Sequence, residues 1–186
     1  MLSAVTPAKP NRRNYWRYLS WTPKILSSPR QTVSRNKWES EWTSSAGVQA
    51  FSAIDHYLCH CGLDERLRDL INLRVSQING CAYCTDLHTR MLMKEGVGAE
   101  KLAALQGWVC TEGIFSLKER AALAWAEYMT LIAPSSNRRE RAPDLRRYFS
   151  DEEVCDLTLA ISLINAYNRL AISFRNIPQA VLEHQK

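Results

Sequence analysis

The sequence predicts an all-α fold, and three observations carry that prediction. From Ser45 onward, apolar residues recur at three- and four-residue spacing in one stretch after another. Two of these stretches open on a capping box, Ser116-Leu117-Lys118-Glu119 and Ser150-Asp151-Glu152-Glu153, in which the Ser caps the first turn and the Glu reaches back to it. No alternating apolar and polar run of useful length offers a strand.

The elements follow in order. Residues 1–44 are rich in Pro, Ser, Arg and Trp, with Trp16, Trp21, Trp38 and Trp42 but no sustained period. They read as an irregular arm, with a short helix around Tyr15 to Trp21. A transit peptide, a membrane-surface anchor, a clasp on a neighbouring subunit and an extension without chemical function all fit it. Val48, Phe51, Ile54, Tyr57 and Leu58 mark a first helix closing at Gly62, and Leu63, Leu67, Leu70, Ile71, Val75 and Ile78 mark a second. Asn79-Gly80 ends that helix, and a third runs from Cys81 to about Gly96. A short helix is expected over Glu100 to Gly107. The two capping boxes then open a helix that stops before Pro134 and a long one reaching about Phe174. This gives a helical domain at 45–180 and a polar tail at 181–186. Val75-Ser76-Gln77-Ile78-Asn79 and Ile161-Ser162-Leu163-Ile164-Asn165 form a faint internal echo, read either as a duplicated helical unit or as coincidence.

At 186 residues and 46% hydrophobic, the chain is long enough for one domain with a proper core. No run approaches 18 apolar residues, so no membrane span is expected. The net charge of +5 is uneven: residues 1–46 hold eight Lys and Arg against two Glu, which leaves the rest at −1. The helical region has no basic stripe to follow a phosphate backbone, so it is not expected to bind nucleic acid. Six cysteines are too sparse for a secreted disulfide scaffold, and no secretory signal pattern precedes them. The expectation is a reducing, cytoplasmic setting.

Cys81-Ala82-Tyr83-Cys84-Thr85-Asp86-Leu87-His88 is the most informative stretch. On a helix, positions 81, 84 and 88 share one stripe, which brings two sulfurs and an imidazole together. A helix N-terminus favours thiolate over thiol through its exposed N–H groups and dipole. His88, four residues after Cys84, can take the thiol proton, and Cys81 can close a disulfide on a sulfenic acid formed at Cys84. The bland reading is a buried pair of small hydrophobes with a capping His. A zinc site built from Cys59, Cys61, Cys81 and Cys84 is the other alternative. Cys-x-Cys is tighter than the usual ligand gap, and an amphipathic helix separates the pairs, so no metal and no other cofactor is expected. Cys59, Cys61, Cys110 and Cys155 then read as helix-end or core residues, His56 and His60 as surface residues, and Met91 and Met93 as core or contact residues.

The run Leu70-Ile71-Asn72-Leu73-Arg74-Val75-Ser76-Gln77-Ile78-Asn79-Gly80-Cys81-Ala82-Tyr83-Cys84-Thr85-Asp86-Leu87-His88 resembles the alkylhydroperoxidase AhpD-like core of the carboxymuconolactone decarboxylase superfamily. Glu119-Arg120-Ala121-Ala122-Leu123-Ala124-Trp125-Ala126-Glu127 and Asn165-Ala166-Tyr167-Asn168-Arg169-Leu170-Ala171-Ile172-Ser173-Phe174 extend the likeness, which covers about residues 45–178. The resemblance implies an all-helical homo-oligomer that reduces peroxides with cysteines, without metal or haem. It also implies a proton relay from Asp69 and His88 to Cys84 and Cys81. Asp69 stands where Glu is usual, one methylene shorter, so a bridging water is expected. Tyr83 stands where a second His is found in one branch, and it is either a donor to a peroxide oxygen or an aromatic packing residue. The chain is therefore expected to be a thiol-dependent peroxidase using a hydroperoxide and a dithiol reductant. The alternatives are a general disulfide reductase or redox sensor, and a non-enzymatic helical oligomerisation module.

Overall fold

The computed structural model describes residues 45–132 and 142–184. The arm at 1–44 lies outside the described residues. Within them are seven α-helices and one 3-10 helix: α1 Ala46–Leu58, α2 Glu65–Asn79, α3 Ala82–Lys94, α4 Ala99–Ala104, the 3-10 helix Leu105–Cys110, α5 Leu117–Thr130, α6 Asp151–Ser173 and α7 Gln179–Glu183. No strand occurs among the described residues, as the periodicity predicts. No helix of the described residues is long and apolar enough to cross a membrane.

Both capping boxes form. The Glu119 amide donates to Ser116 Oγ while the Ser116 amide donates to Glu119 Oε2, and Glu153 and Ser150 repeat the exchange. Asp64 caps α2 by accepting from the Leu67 amide at 2.9 Å. The expected short helix divides: α4 ends at Ala104, and the chain tightens into the 3-10 helix around Gly107. The chain is also helical past position 178. Leu182 of α7 is buried, and Glu183 pairs with Arg90 of α3 at 2.8 Å.

α2 is the central helix, packed against α3, α5 and α6. Leu67, Ile71 and Val75 face Ala122 and Ala126 of α5 and Leu157, Ile161 and Ile164 of α6. Leu145 and Phe149, from a segment with no helical period, close that core. Leu70 and Leu73 face the other way, toward Leu92, Leu105, Trp108, Phe115 and Leu123. A helix covered on two sides has no solvent face, so its polar residues are buried as well. Arg68, Asp69, Asn72 and Ser76 are all less than one-tenth exposed. Positions 69, 72 and 76 fall three and four apart, which gives a polar stripe inside an otherwise apolar packing. Buried polar groups require partners. Neighbouring helices supply them for Asp69 and Ser76, while Asn72 Oδ1 is buried without one.

The two halves of the internal echo meet in space. Asn79 Nδ2 donates to Asn165 Oδ1 at 3.0 Å and to Asn168 Oδ1 at 2.9 Å, and Asn168 Nδ2 donates to Ser76 Oγ at 3.0 Å. These bonds fix the end of α2 against the middle of α6. Two expectations change. Cys155 is exposed on α6, neither at a helix end nor in the core, and Cys110 is exposed at the end of the 3-10 helix. Met93 is 59% exposed, although Met91 is half-buried.

Candidate functional site

Gly80 makes the corner on which the site is built. Its φ of +69° is left-handed, which stops α2 at Asn79 and lets the Cys81 amide reach back to the Ser76 carbonyl at 3.0 Å. The chain then turns directly into α3, with Cys81 as N-cap and not, as the spacing suggests, the first residue of the helix. The Cys84 amide donates to Cys81 Sγ at 3.3 Å. Cys81 and Cys84 form a disulfide with a Cα separation of 5.4 Å. Both are nearly inaccessible, at 1% and 3% exposed, beneath Ala171 of α6, and the half-buried Tyr83 packs on the same group. Tyr83 therefore sits where either of its expected roles is possible.

His88 lies one helical turn beyond Cys84 and is buried at 3% exposed. Its Nδ1 is 3.2 Å from Oδ1 of Asp69, which is fully buried in the middle of α2. The shorter side chain thus reaches the imidazole directly, and no bridging water is needed. A ring that donates Nδ1–H to a carboxylate keeps Nε2 as its proton acceptor. The site residues named from sequence therefore come together at one corner: the sulfurs at the start of α3, the base one turn on, and the carboxylate across from it on α2.

Three further ionisable groups surround this corner, and the sequence pattern did not single them out. Asp55 of α1 is 7% exposed, with Oδ2 buried and without a hydrogen-bond partner. Burial pushes its carboxyl up from 3.8 to about 6, against the opposing pull of Arg68 and His88. Arg68 is 3% exposed and donates through Nη1 to the Leu58 carbonyl, which ties α2 to the end of α1. Glu95, the C-cap of α3, is raised from 4.5 to about 7, first by burial and then by the charges of Asp69 and Glu65. Burial also raises the hydroxyl of Tyr167 on α6. A signal for Asp55 did exist. It is four residues after Phe51 and three before Leu58, so it falls on the apolar stripe of α1. Cys59 and Cys61 are half-buried, and burial raises both thiols, the opposite of what a reactive cysteine requires. Among the described residues, no group of three or more His, Cys, Asp or Glu side chains is placed to hold a metal ion.

The comparisons with known proteins agree with this architecture. Residues 46–128 match the model of the carboxymuconolactone decarboxylase family. YdfG of Bacillus subtilis (strain 168), a protein of uncharacterised function, is 35% identical over 135 residues, covering 70% of this chain and 88% of its own length. A crystal structure from Agrobacterium tumefaciens, of a protein of unknown function suggested to be the antioxidant defence protein AhpD, is 34% identical with a TM-score of 0.66; the match covers 75% of this chain and 94% of that one. The debrominase Bmp8, solved with 2,3,4-tribromopyrrole, superposes with a TM-score of 0.65 over 80% of this chain and 79% of its own. At 18% identity that likeness concerns the fold alone.

Proposed function

Because the chain belongs to the carboxymuconolactone decarboxylase family and has an AhpD-like core, we propose that it is a thiol-dependent peroxidase working through Cys81 and Cys84. The observation that carries this reading is the Cys81–Cys84 pair at the start of α3 with the buried His88–Asp69 pair one turn away. In the reduced protein, His88 accepts the Cys84 proton, and the helix N-terminus stabilises the resulting thiolate. The Cys84 sulfur attacks the terminal oxygen of a hydroperoxide and breaks the O–O bond. His88 returns its proton to the departing alkoxide, which leaves as alcohol, and Cys84 becomes a sulfenic acid. The Cys81 sulfur then attacks Cys84 Sγ, water leaves, and the disulfide forms. A dithiol reductant restores both thiols by exchange and is itself oxidised. Asp69 holds the imidazole in one tautomer and balances its charge. Tyr83 packs against the sulfurs, where its hydroxyl can serve as a donor to the peroxide.

The same reading places the protein in the cytoplasm, where a dithiol supply exists, as a homo-oligomer without metal or other cofactor. The assembly argument moves, however. Ile161, Leu163, Ile164 and Ala171 of α6, expected to need a neighbour, are buried within the chain, whereas Leu131, Ile132, Ile172 and Val181 stay exposed.

The test is consumption of tert-butyl hydroperoxide by the full chain with dithiothreitol as reductant. Turnover that is lost in Cys84→Ser supports the proposal. Turnover of a small aromatic disulfide with no peroxide consumption replaces it with a disulfide reductase, and absence of both leaves a helical assembly module.

A further inference from the structure

The charges buried around His88 do not balance as the relay alone would have them. Arg68 and Asp69 are adjacent on α2, 3% and 0% exposed, and cancel one another as a fixed pair. That leaves Asp55 and His88, both buried, on opposite sides of Asp69 in the chain. Asp55 feels the charges of Arg68, His88, Asp69 and His56, and its own charge is felt by Cys59 and by Tyr167. The groups facing it are therefore His56 and Cys59 on its own side, Arg68 and Asp69 from α2, His88 from α3 and Tyr167 from α6. Each of the two carboxylates has one buried oxygen, Oδ2, without a hydrogen-bond partner. A buried cluster is most stable when neutral. With Arg68 and Asp69 ionised, neutrality requires one proton between Asp55 and His88: a neutral acid beside a neutral imidazole, or a carboxylate beside an imidazolium.

We propose that Asp55 is a positioning residue of the site, sharing one proton with His88, so that ionisation of Asp55 supplies the counter-charge for the imidazolium that stabilises the reactive thiolate. The inference rests on the thiol-peroxidase reading of the same corner and names a fifth participant in it. Asp55 acts only through Asp69 and His88. Two ionisable groups this strongly linked titrate as a pair. Burial sets the window in which they do so, because it holds the Asp55 proton up to about pH 6. Below that pH Asp55 is neutral and electrostatically equivalent to Asn. Above it the two side chains differ by a full negative charge.

The pH dependence of thiol alkylation tests this without using any peroxide. The reduced full chain and its Asp55→Asn variant are treated with iodoacetamide from pH 5 to 8, and labelling of the peptide containing Cys81 and Cys84 is followed by mass spectrometry. At pH 5 the two proteins should react at the same rate. At pH 7.5 the variant should be slower by roughly threefold to tenfold, the effect of half to one pKa unit on the thiolate population. A rate ratio that is constant across the range would mean that Asp55 only supports the fold, and would overturn the proposal. A measurement on the unaltered protein covers the case in which the variant does not fold. In protein carrying carbon-13-labelled aspartate, the Asp55 carboxyl resonance should titrate near pH 6, and a midpoint at the ordinary 3.8 would overturn the proposal. Failure of peroxide turnover, with both of these results as expected, would instead remove the peroxidase reading and leave the proton sharing in place.

Discussion

The start of α3 and the starts of α5 and α6 are the same local structure built from different atoms. In α5 and α6 a Ser occupies the N-cap and a Glu the third helical position, and the two exchange hydrogen bonds. In α3 the N-cap is Cys81 and the third helical residue is Cys84. The Cys84 amide donates to the cap sulfur as Glu119 and Glu153 donate to their serines, but the return link from side chain to cap is a disulfide. The capping box has become a redox pair. The surrounding charge differs accordingly. Asp151, Glu152 and Glu153 fill the first turn of α6, where acidic groups complement the dipole, while α3 has no acidic residue in its first turn. The positive end of α3 is left for a thiolate, so one N-terminus serves the fold and the other is open to chemistry.

Replacing the cap pair should break this contrast most sharply. Cys84→Ser should abolish peroxide turnover. Cys81→Ser should allow one stoichiometric oxidation and then stop, because Ser caps the helix as well as Cys does but cannot resolve a sulfenic acid. Rapid-mixing oxidation of both variants, with labelling of the remaining thiol, checks the assignment. If the protein retaining only Cys81 proves to be the one that reacts with peroxide, the two cysteines exchange roles. The N-cap position of the Cys81 sulfur makes that a real contest.

His88→Ala should be next in size, slowing peroxide reduction by about 10²–10⁴, the usual contribution of a general base. The stopped-flow rate with a single hydroperoxide decides it, and an unchanged rate would remove His88 from the mechanism. A loss of stability is expected too, because His88 is 3% exposed and its removal leaves the buried Asp69 carboxylate without a partner. That cost is on the order of 3 kcal/mol, and a denaturant titration of the variant measures it.

The stability cost marks where the sequence stopped being legible. Helix order, both capping boxes and the Gly80 corner could be read directly, because caps and left-handed glycines act through their nearest neighbours in the chain. The Cys81, Cys84 and His88 stripe was equally visible. Asp69 was not. It lies among Arg66, Arg68 and Glu65 in a segment that could pass for a charged surface, and only family resemblance picked it out. Asp55, Arg68 and Glu95 were missed for the same reason: a charge in a one-dimensional pattern looks solvated until neighbouring helices are packed around it. Leu145 and Phe149 escaped notice because a core residue outside a regular element has no period to betray it.

Ser150→Ala tests the structural side of the comparison. Loss of this cap should cost about 1 kcal/mol of stability, lowering the melting temperature by roughly 2–4 °C in a chain of this size, with peroxide turnover unchanged. Calorimetry and the peroxide assay on one preparation suffice. A loss of activity comparable with that of the cysteine variants would mean that the two N-termini are not separate in function.

The smallest effect is expected at the other end of α3, where Glu95 is held protonated up to about pH 7 instead of the ordinary 4.5. Between those values the folded protein keeps a proton that the unfolded chain has released. Stability from this group is therefore fully present below pH 4.5 and is lost as pH rises through 7. Glu95→Gln removes the dependence. The variant should match the parent protein at pH 4 and exceed it at pH 8, where the parent must carry a half-buried carboxylate close to Asp69. Solvent screening of a partly exposed group limits the gain to about 1 kcal/mol. Urea denaturation at the two pH values reads the difference. A variant less stable than the parent at pH 8 would show that the Glu95 carboxylate is stabilised by contacts that outweigh its burial, and that both ends of α3 are electrostatically satisfied.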